Sequence, residues 1–332
     1  FRSEYRCQPD LNFTQSLRRR KVLDFGNGLY MQPLTRIIET LNLEEIEQNH
    51  YLATSPNEGW QRVYGGQVIG QALVAASRTV DADRYAHSLH GYFLRAGDKE
   101  RPILYKVDRI RDGKSFTTRR VVAIQKGQPI FSMSLSFQVD EEGLSHQFEM
   151  PSVAEPDTLR DEDEIRLEQS KNWPEDIRTA LREANAQADA EVASPSDLTE
   201  PSAIQMRPIE PLDLLNPKPT AAIQRCWMKS RETLPDDPRL HQCVLAYLSD
   251  WSLLDTATRP HGISFMQSNI QVASLDHAIW FHRPFRADEW LLYDQDSPRA
   301  GGARGFNRGL IYNQAGELVA STAQEGLVRL HN

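Results

Sequence analysis

The 332-residue sequence has no run of about 18 apolar residues, so no membrane-spanning helix is expected. It also lacks a G-x-S-x-G segment, which argues against the nucleophile elbow of serine hydrolases. No two histidines have metal-ligand spacing, and we predict no metal site. Cysteine is scarce: Cys7, Cys226 and Cys243 are odd in number and fit a reducing compartment, as small buried or incidental side chains.

The excess of acidic over basic residues is confined to one stretch of the chain. The net charge is −8, but residues 141–200 hold 17 acids and 5 bases, a balance of −12 that leaves +4 elsewhere. Six bases and three acids in residues 1–30 account for +3 of that remainder. The other regions are close to neutral, so the basic face of a nucleic-acid-binding protein is not expected. The charge pattern neither supports nor excludes a small anionic ligand.

Composition divides the chain into four segments. Residues 1–30 are Arg-rich, lack the apolar core of a secretory signal, and are followed at Met31 by a helix-like pattern. We therefore expect Met31 to be the natural start and residues 1–30 to be an extension without function. Residues 31–140 form a first folded half. Residues 141–203 read as an acidic, proline-containing linker with one surface helix near 174–191, and residues 204–332 form a second folded half.

Both halves show the same order of elements. Each begins with a helix that is apolar nearly all round, Gln67–Val80 and His241–Thr258, and such a helix must be wrapped by other structure. Alternation then predicts strands, most clearly over Phe131–Val139. A further helix is predicted over 32–48, and strands over 270–281, 290–296, 303–312 and 318–329. The pattern predicts an α+β fold of two repeats, each a buried helix wrapped by an antiparallel sheet.

An internal repeat supports this duplication. Residues 113–137 align without a gap on 302–326, and five of the 25 pairs are identical. These are Gly113/Gly302, Arg119/Arg308, Gln125/Gln314, Gly127/Gly316 and Ser132/Ser321. Leu135 of the first copy becomes Gln324 in the second, on the strand face that should point inward. Burying an unpartnered amide costs about 1–3 kcal/mol, so Gln324 should have partners within the structure or a ligand.

Two more polar residues stand out in the second half. Asp250 falls in the middle of the apolar helix, where Arg239 and Arg259 are too distant to be local partners. Such a carboxylate should have a raised pKa and is a candidate general base, or else a structural group bonded to backbone or to a distant Arg. Ser274 precedes Asp276 and His277 on a strand, where neighbours alternate between faces, so these residues do not form a triad.

Several long motifs occur in order along residues 31–332. They are Tyr64–Leu73 (YGGQVIGQAL), Ser249-Asp250, Arg259–Gly262 (RPHG), Ala273–His277 (ASLDH), Trp280–Phe285 (WFHRPF), Ala303–Phe306 (ARGF) and Ala320–Gly326 (ASTAQEG). Together they resemble the acyl-CoA thioesterase II family. The resemblance implies a double hot-dog fold and hydrolysis of fatty acyl-CoA to free acid and coenzyme A, without metal or cofactor. It places the family's catalytic Asp, Thr or Ser, and Gln on Asp250, Ser274 and Gln324.

From these residues we expect one water held by Asp250, Ser274 and Gln324 to attack the thioester, with Asp250 as general base. Backbone amides at Gly65 and Gly66, which open a buried helix, would polarise the carbonyl. Arg304, Arg308 and Lys114 are candidates for binding the phosphates of coenzyme A. We further expect medium- to long-chain substrates and a homo-oligomer, dimer or tetramer. The C-terminus has no S-K-L-type peroxisomal address, which favours the cytoplasm.

Two other functions remain open at the level of sequence. A hydratase or dehydratase on the same fold would need an acid/base pair acting on carbon, and His277 beside Asp276 leaves that possible. A non-catalytic acyl-CoA-binding module would result if Gln324 and Asp250 only satisfied each other.

Overall fold

A long antiparallel sheet curves around two central helices. The computed structural model describes residues 36–55, 62–175, 177–179, 202–265, 267 and 269–331. The predicted extension 1–30, with Cys7, and most of the predicted surface helix near 174–191 lie outside these residues. Cys226 and Cys243 are buried and free, as expected.

The helices are α1 (Arg36–Leu41), α2 (Gly65–Ser77), α3 (Glu162–Ser170) and α4 (Pro238–Leu248). Short 3-10 turns occur at Pro156–Thr158, Leu254–Ala257 and Arg259–His261. Nearly every residue of α2 and α4 is buried, as their all-round apolar pattern predicts. Asp237 caps α4 by accepting a hydrogen bond from the Arg239 N–H at 2.9 Å. Within the described residues, no helix combines the length and apolarity needed to cross a membrane.

Within the described residues, thirteen strands pair in a single antiparallel sheet. In the first half they are β1 (Glu44–Glu47), β2 (His50–Ala53), β3 (Arg84–Phe93), β4 (Ile103–Asp112), β5 (Phe116–Gln125) and β6 (Gln128–Val139). In the second half they are β7 (Ile204–Pro208), β8 (Ile223–Ser230), β9 (Ile270–Ser274), β10 (Asp276–Phe281), β11 (Leu291–Gly301), β12 (Arg304–Asn313) and β13 (Leu318–Leu330).

The order of the strands shows the duplication directly. It runs β1-β2-β4-β5-β6-β3-β10-β13-β12-β11-β8-β7, with β9 added to β13. The two halves therefore meet where β3 pairs with β10, and α2 of one half packs against α4 of the other. Each half is a helix wrapped by an antiparallel sheet, the double hot-dog arrangement that the sequence predicts.

Two predicted helices end early. The helix expected over 32–48 stops at Leu41, and the chain turns into strand β1. The helix expected over His241–Thr258 stops at Leu248, and the Ser249 hydroxyl bonds back to the Ala246 carbonyl at 3.0 Å. The chain then continues in bends and a 3-10 turn. Asp250 consequently lies in the turn after α4 rather than in the middle of a helix.

The ungapped alignment of the internal repeat gives the right equivalent residues for β6 and β13, but it is shifted by one residue for β5 and β12. Inward-facing positions of β6 and β13 match at the expected offset, so Leu135 and Gln324 are equivalent. On β12, however, the inward position that matches Arg119 is Asn307, whereas Arg308 is exposed. Two residues, 126–127, separate the paired Gln125 and Gln128, whereas three, 314–316, separate Asn313 from Glu317, whose carbonyl accepts a hydrogen bond from the Asn313 N–H; the extra residue accounts for the shift.

Candidate active site

Three polar side chains from separate parts of the second half meet beside the start of α2. The Gln324 amide nitrogen lies 2.5 Å from Asp250 Oδ1 and 3.2 Å from Ser274 Oγ. Ser274 Oγ lies 3.3 Å from the same Asp250 oxygen. Gln324 comes from the middle of β13, Ser274 from the last residue of β9, and Asp250 from the turn after α4. The structure therefore brings together all three side chains singled out from the sequence.

The first half contributes the N-terminal end of α2. The Gly66 N–H donates a hydrogen bond to the Asp250 carboxyl group. At Gly65 the approach is so close that a Cβ atom would lie 2.5 Å from Asp250 Oδ2 and 3.0 Å from the Phe93 ring. The unpaired N–H groups and the dipole of a helix N-terminus favour a carboxylate at this position. Gly65 and Gly66 thus lie at the site, and in this structure Gly66 binds Asp250.

His277 is the fourth polar side chain in contact with this cluster. Its Nδ1 atom lies 3.1 Å from the Gln324 amide nitrogen, and its Nε2 atom lies 2.9 Å from Ser249 Oγ. The imidazole is 1 % exposed. His277 Nδ1 is also 3.8 Å from Asp250 Oδ1, although this contact is an ion pair only if the imidazole is protonated.

Burial shifts the pKa values of Asp250 and His277 in opposite directions. Desolvation raises the pKa of Asp250 to about 6, and hydrogen bonds from Gln324, Ser274 and Gly66 limit that rise. Desolvation lowers the pKa of His277 to about 3, so its imidazole is neutral at physiological pH. The site therefore contains an anionic carboxylate of raised basicity beside a neutral histidine.

Two buried amide oxygens complete this face of the sheet. Gln324 Oε1 and Asn307 Oδ1 have no hydrogen-bond donor among the described residues, although both side chains are 0 % exposed. Their residues pair directly across β12 and β13 and share the inward face. A buried acceptor without a donor is costly, so this corner of the site suits a molecule that brings O–H or N–H groups.

The three basic residues proposed for phosphate binding lie elsewhere. Arg304 and Arg308 are exposed on the outer face of β12 and form ion pairs with Glu325 at 2.9 Å and Asp296 at 2.7 Å. Lys114 is exposed in the β4–β5 turn, where its carbonyl accepts a hydrogen bond from Arg84. Arg84 begins β3, and Phe93 at the other end of this strand is about 30 Å away at 3.3 Å per residue. The structure does not bring these three residues to Asp250.

Sequence reasoning overlooked several partners of the cluster. His277 was considered only as an acid or base in another reaction, and Ser249, Asn307 and the Gly66 amide were not considered as partners of the site. One signal for His277 was available: it occupies on β10 the position that Leu89 occupies on β3. The same leucine-to-polar exchange that marks Gln324 therefore occurs again on the neighbouring strand.

Known proteins match this chain over most of its length. A family model for acyl-CoA thioesterases matches residues 205–327, and one for the acyl-CoA thioesterase N-terminal domain matches residues 55–138. Acyl-coenzyme A thioesterase 8 of Mus musculus is 40 % identical over 309 residues, covering 89 % of each chain. Acyl-CoA thioesterase 2 of Haemophilus influenzae is 38 % identical over 296 residues, covering 89 % of this chain and 98 % of the relative.

Solved structures agree in fold. An acyl-CoA thioesterase II from Mycobacterium marinum superposes with a TM-score of 0.69 at 45 % identity, covering 89 % of this chain and 98 % of that one. A hot-dog protein of unknown function from Alicyclobacillus acidocaldarius reaches 0.67 at 15 % identity, with 89 % and 98 % coverage, and supports the fold alone. From its motifs, its double hot-dog architecture and these relatives, the chain belongs to the acyl-CoA thioesterase II family and is an acyl-CoA hydrolase.

Proposed function

We propose that this enzyme hydrolyses medium- to long-chain fatty acyl-CoA by direct attack of a water held by Asp250, Ser274 and Gln324. The observation that carries the proposal is the convergence of a buried carboxylate, a hydroxyl and an amide within 3.3 Å of one another. Gln324 Oε1 supports it, because this oxygen can accept one O–H of the water while Asp250 accepts the other.

The reaction then needs no acyl-enzyme. The water oxygen attacks the thioester carbonyl carbon as its proton passes to the Asp250 carboxylate. The tetrahedral intermediate collapses, the carbon–sulfur bond breaks, and the departing thiolate recovers the proton from Asp250. The products are the free fatty acid and coenzyme A, and Asp250 is ionised again.

The α2 N-terminus has two functions in this proposal. Its Gly66 N–H holds the Asp250 carboxylate in place. Because that amide is engaged, polarisation of the thioester carbonyl falls to the Gly65 amide and to the helix dipole. Both effects come from the first half of the chain and act on chemistry in the second.

Apolar rings beside the cluster support a medium- to long-chain acyl group. The Phe93 ring lies 3.0 Å from where a Cβ on Gly65 would be, and it packs against Phe131 with ring centroids 4.9 Å apart. Tyr64 and Trp251, which flank Gly65 and Asp250 in sequence, pack edge to face at 5.7 Å. Binding of CoA phosphates by Arg304, Arg308 or Lys114 has no such support. Homo-oligomeric assembly and a cytoplasmic location likewise stay predictions.

The hydratase alternative is disfavoured by the contacts of His277. Both of its ring nitrogens are engaged within the structure, by Ser249 and Gln324, and the ring is buried. A histidine that acts on carbon needs a free nitrogen facing the substrate.

Thiol release from acyl-CoA esters of increasing chain length tests the proposal. We expect turnover with palmitoyl-CoA and shorter chains down to medium length, and no hydration of enoyl-CoA. Enzyme quenched during turnover and weighed intact should carry no acyl group. An acyl adduct on Ser274 would contradict direct water attack, and turnover of acetyl-CoA alone would contradict the chain-length proposal.

A further inference from the structure

Four groups form a chain of hydrogen bonds that leads from the end of α4 to Asp250. Ser249 Oγ bonds to the Ala246 carbonyl at 3.0 Å and to His277 Nε2 at 2.9 Å. His277 Nδ1 bonds to the Gln324 amide nitrogen at 3.1 Å, and that nitrogen bonds to Asp250. Ser249, His277 and Gln324 are all buried.

The direction of every bond in this chain is determined. A carbonyl oxygen only accepts, so the single hydroxyl proton of Ser249 is donated to Ala246. Ser249 Oγ must therefore accept from His277, which places the imidazole proton on Nε2. His277 Nδ1 is then an acceptor, and only the NH₂ side of the Gln324 amide can satisfy it.

We propose that His277 is a positioning residue that fixes the orientation of the Gln324 amide; the inference rests on the proposed role of Gln324 in holding water. If the amide were flipped, Gln324 Oε1 would face two acceptors, His277 Nδ1 and the Asp250 carboxylate. His277 and Asp250 together exclude that orientation. Because His277 also fixes the second N–H of the amide, the NH₂ group stays on Asp250 and Oε1 is left to accept from the attacking water.

The first half of the chain has apolar residues at the two positions that correspond to His277 and Gln324. Leu89 and Leu135 pair across β3 and β6, where the second half has His277 and Gln324 in contact. Both leucines of the first half are therefore replaced by polar residues that contact each other in the second half. Without His277, the Gln324 amide would lose one of its hydrogen-bond acceptors.

A double-mutant cycle tests the inference through kcat and KM for palmitoyl-CoA. We expect His277→Leu to lower kcat about 10- to 100-fold, as misplaced catalytic groups do, with KM within about threefold. In a Gln324→Ala background the same substitution should change kcat less than about twofold, because the group it orients is gone. His277→Asn, whose amide oxygen can replace Nδ1 as acceptor, should recover part of the loss.

His282→Leu is the matched control. His282 bonds to Ser321 at 2.8 Å on the exposed face, and its replacement should leave kcat unchanged. Normal kcat in His277→Leu would overturn the inference, as would an equal loss in both backgrounds. Gln324→Ala alone reports on the proposed function: if it is slow while His277→Leu is normal, only the positioning role is wrong. If Gln324→Ala is normal, both proposals are wrong.

Ser249→Ala provides a second route should the His277 variants fail to fold. Without the Ser249 acceptor the imidazole proton can move to Nδ1, where it would repel the Gln324 NH₂ group. We expect kcat to fall by roughly threefold or more with KM little changed. Unchanged kcat in this variant would also overturn the inference.

Discussion

At the scale of the residue, the raised pKa of Asp250 reflects hydrogen-bond donors that are all neutral. Its carboxyl group is bonded by an amide, a hydroxyl and a backbone N–H, and the part of the chain that the structure describes pairs it with no lysine or arginine. Neutral donors stabilise the anion less than a cation would, so desolvation prevails and the pKa rises to about 6. The group is therefore ionised at neutral pH and remains a stronger base than a surface aspartate.

Asp250→Asn should lower kcat by about 10²–10⁴, the usual contribution of a general base, while acyl-CoA binding is retained. Steady-state thiol release and equilibrium binding of a non-hydrolysable thioether analogue measure the two quantities. Asp255→Asn removes another carboxylate, half-buried and five residues away, and should stay within about threefold of wild type. Normal turnover in Asp250→Asn would refute the assignment of the base.

The pH dependence of kcat/KM should show a single acidic limb near pH 6. The base must be ionised to accept a proton, so activity falls as the pH drops through the raised pKa of Asp250, about 6 rather than 3.8. His277, with a pKa of about 3, is neutral throughout this range and should add no limb. A series of assays from about pH 5 to 8.5 measures the profile. A limb near pH 4 would mean that Asp250 is not desolvated or is not the base.

At the scale of elements, the contact between the α2 N-terminus and the turn after α4 depends on glycine. A methyl group on Gly65 would lie 2.5 Å from Asp250 Oδ2, so one of the two must move. Gly65→Ala should therefore lower kcat about tenfold or more. Gly143→Ala is the matched control, because a Cβ there meets nothing within 4 Å. Equal kcat for both variants would show that the approach of α2 is not needed for catalysis.

The apolar periodicity of the sequence predicts helices and strands best where the pattern is regular and turn residues mark its ends. Helix α2 and strand β6 follow from their apolar patterns, and the Leu135/Gln324 exchange places an amide inside the second half. The end of α4 could not be predicted, because apolar residues continue past Leu248 although the helix stops there. The shift of β12 likewise depends on one extra turn residue, which an ungapped alignment cannot show.

Chemistry-bearing contacts were harder to predict than elements. Gln324 was detectable because its repeat partner is a leucine. Asn307 was missed because the ungapped alignment assigned its inward position to Arg308. The bond from Gly66 to Asp250 depends on α2 and α4 packing together across the two halves, which no local pattern encodes.

At the scale of the molecule, the two halves differ in the polarity of equivalent inward positions. Corresponding inward positions are apolar or fully satisfied in the first half and polar in the second: Leu89, Arg119 and Leu135 against His277, Asn307 and Gln324. Arg119 is buried, yet it bonds to Thr79 and pairs with Asp112 at 2.5 Å. In the proposed mechanism, the first half therefore supplies a well-packed scaffold and the end of α2, and the second half supplies the reacting groups.

Exchanging the two equivalent residues tests this division. Leu135→Gln buries an amide beside Leu89 and beside Arg119, whose guanidinium group already has its partners, and should lower the free energy of unfolding by about 1–3 kcal/mol, with kcat unchanged. Gln324→Leu should lower kcat about 100-fold and affect stability less, because it also removes the buried oxygen that lacks a donor. Urea unfolding and palmitoyl-CoA hydrolysis measure both effects. If Leu135→Gln lost activity in the folded state, or Gln324→Leu kept it, the halves would not divide the work in this way.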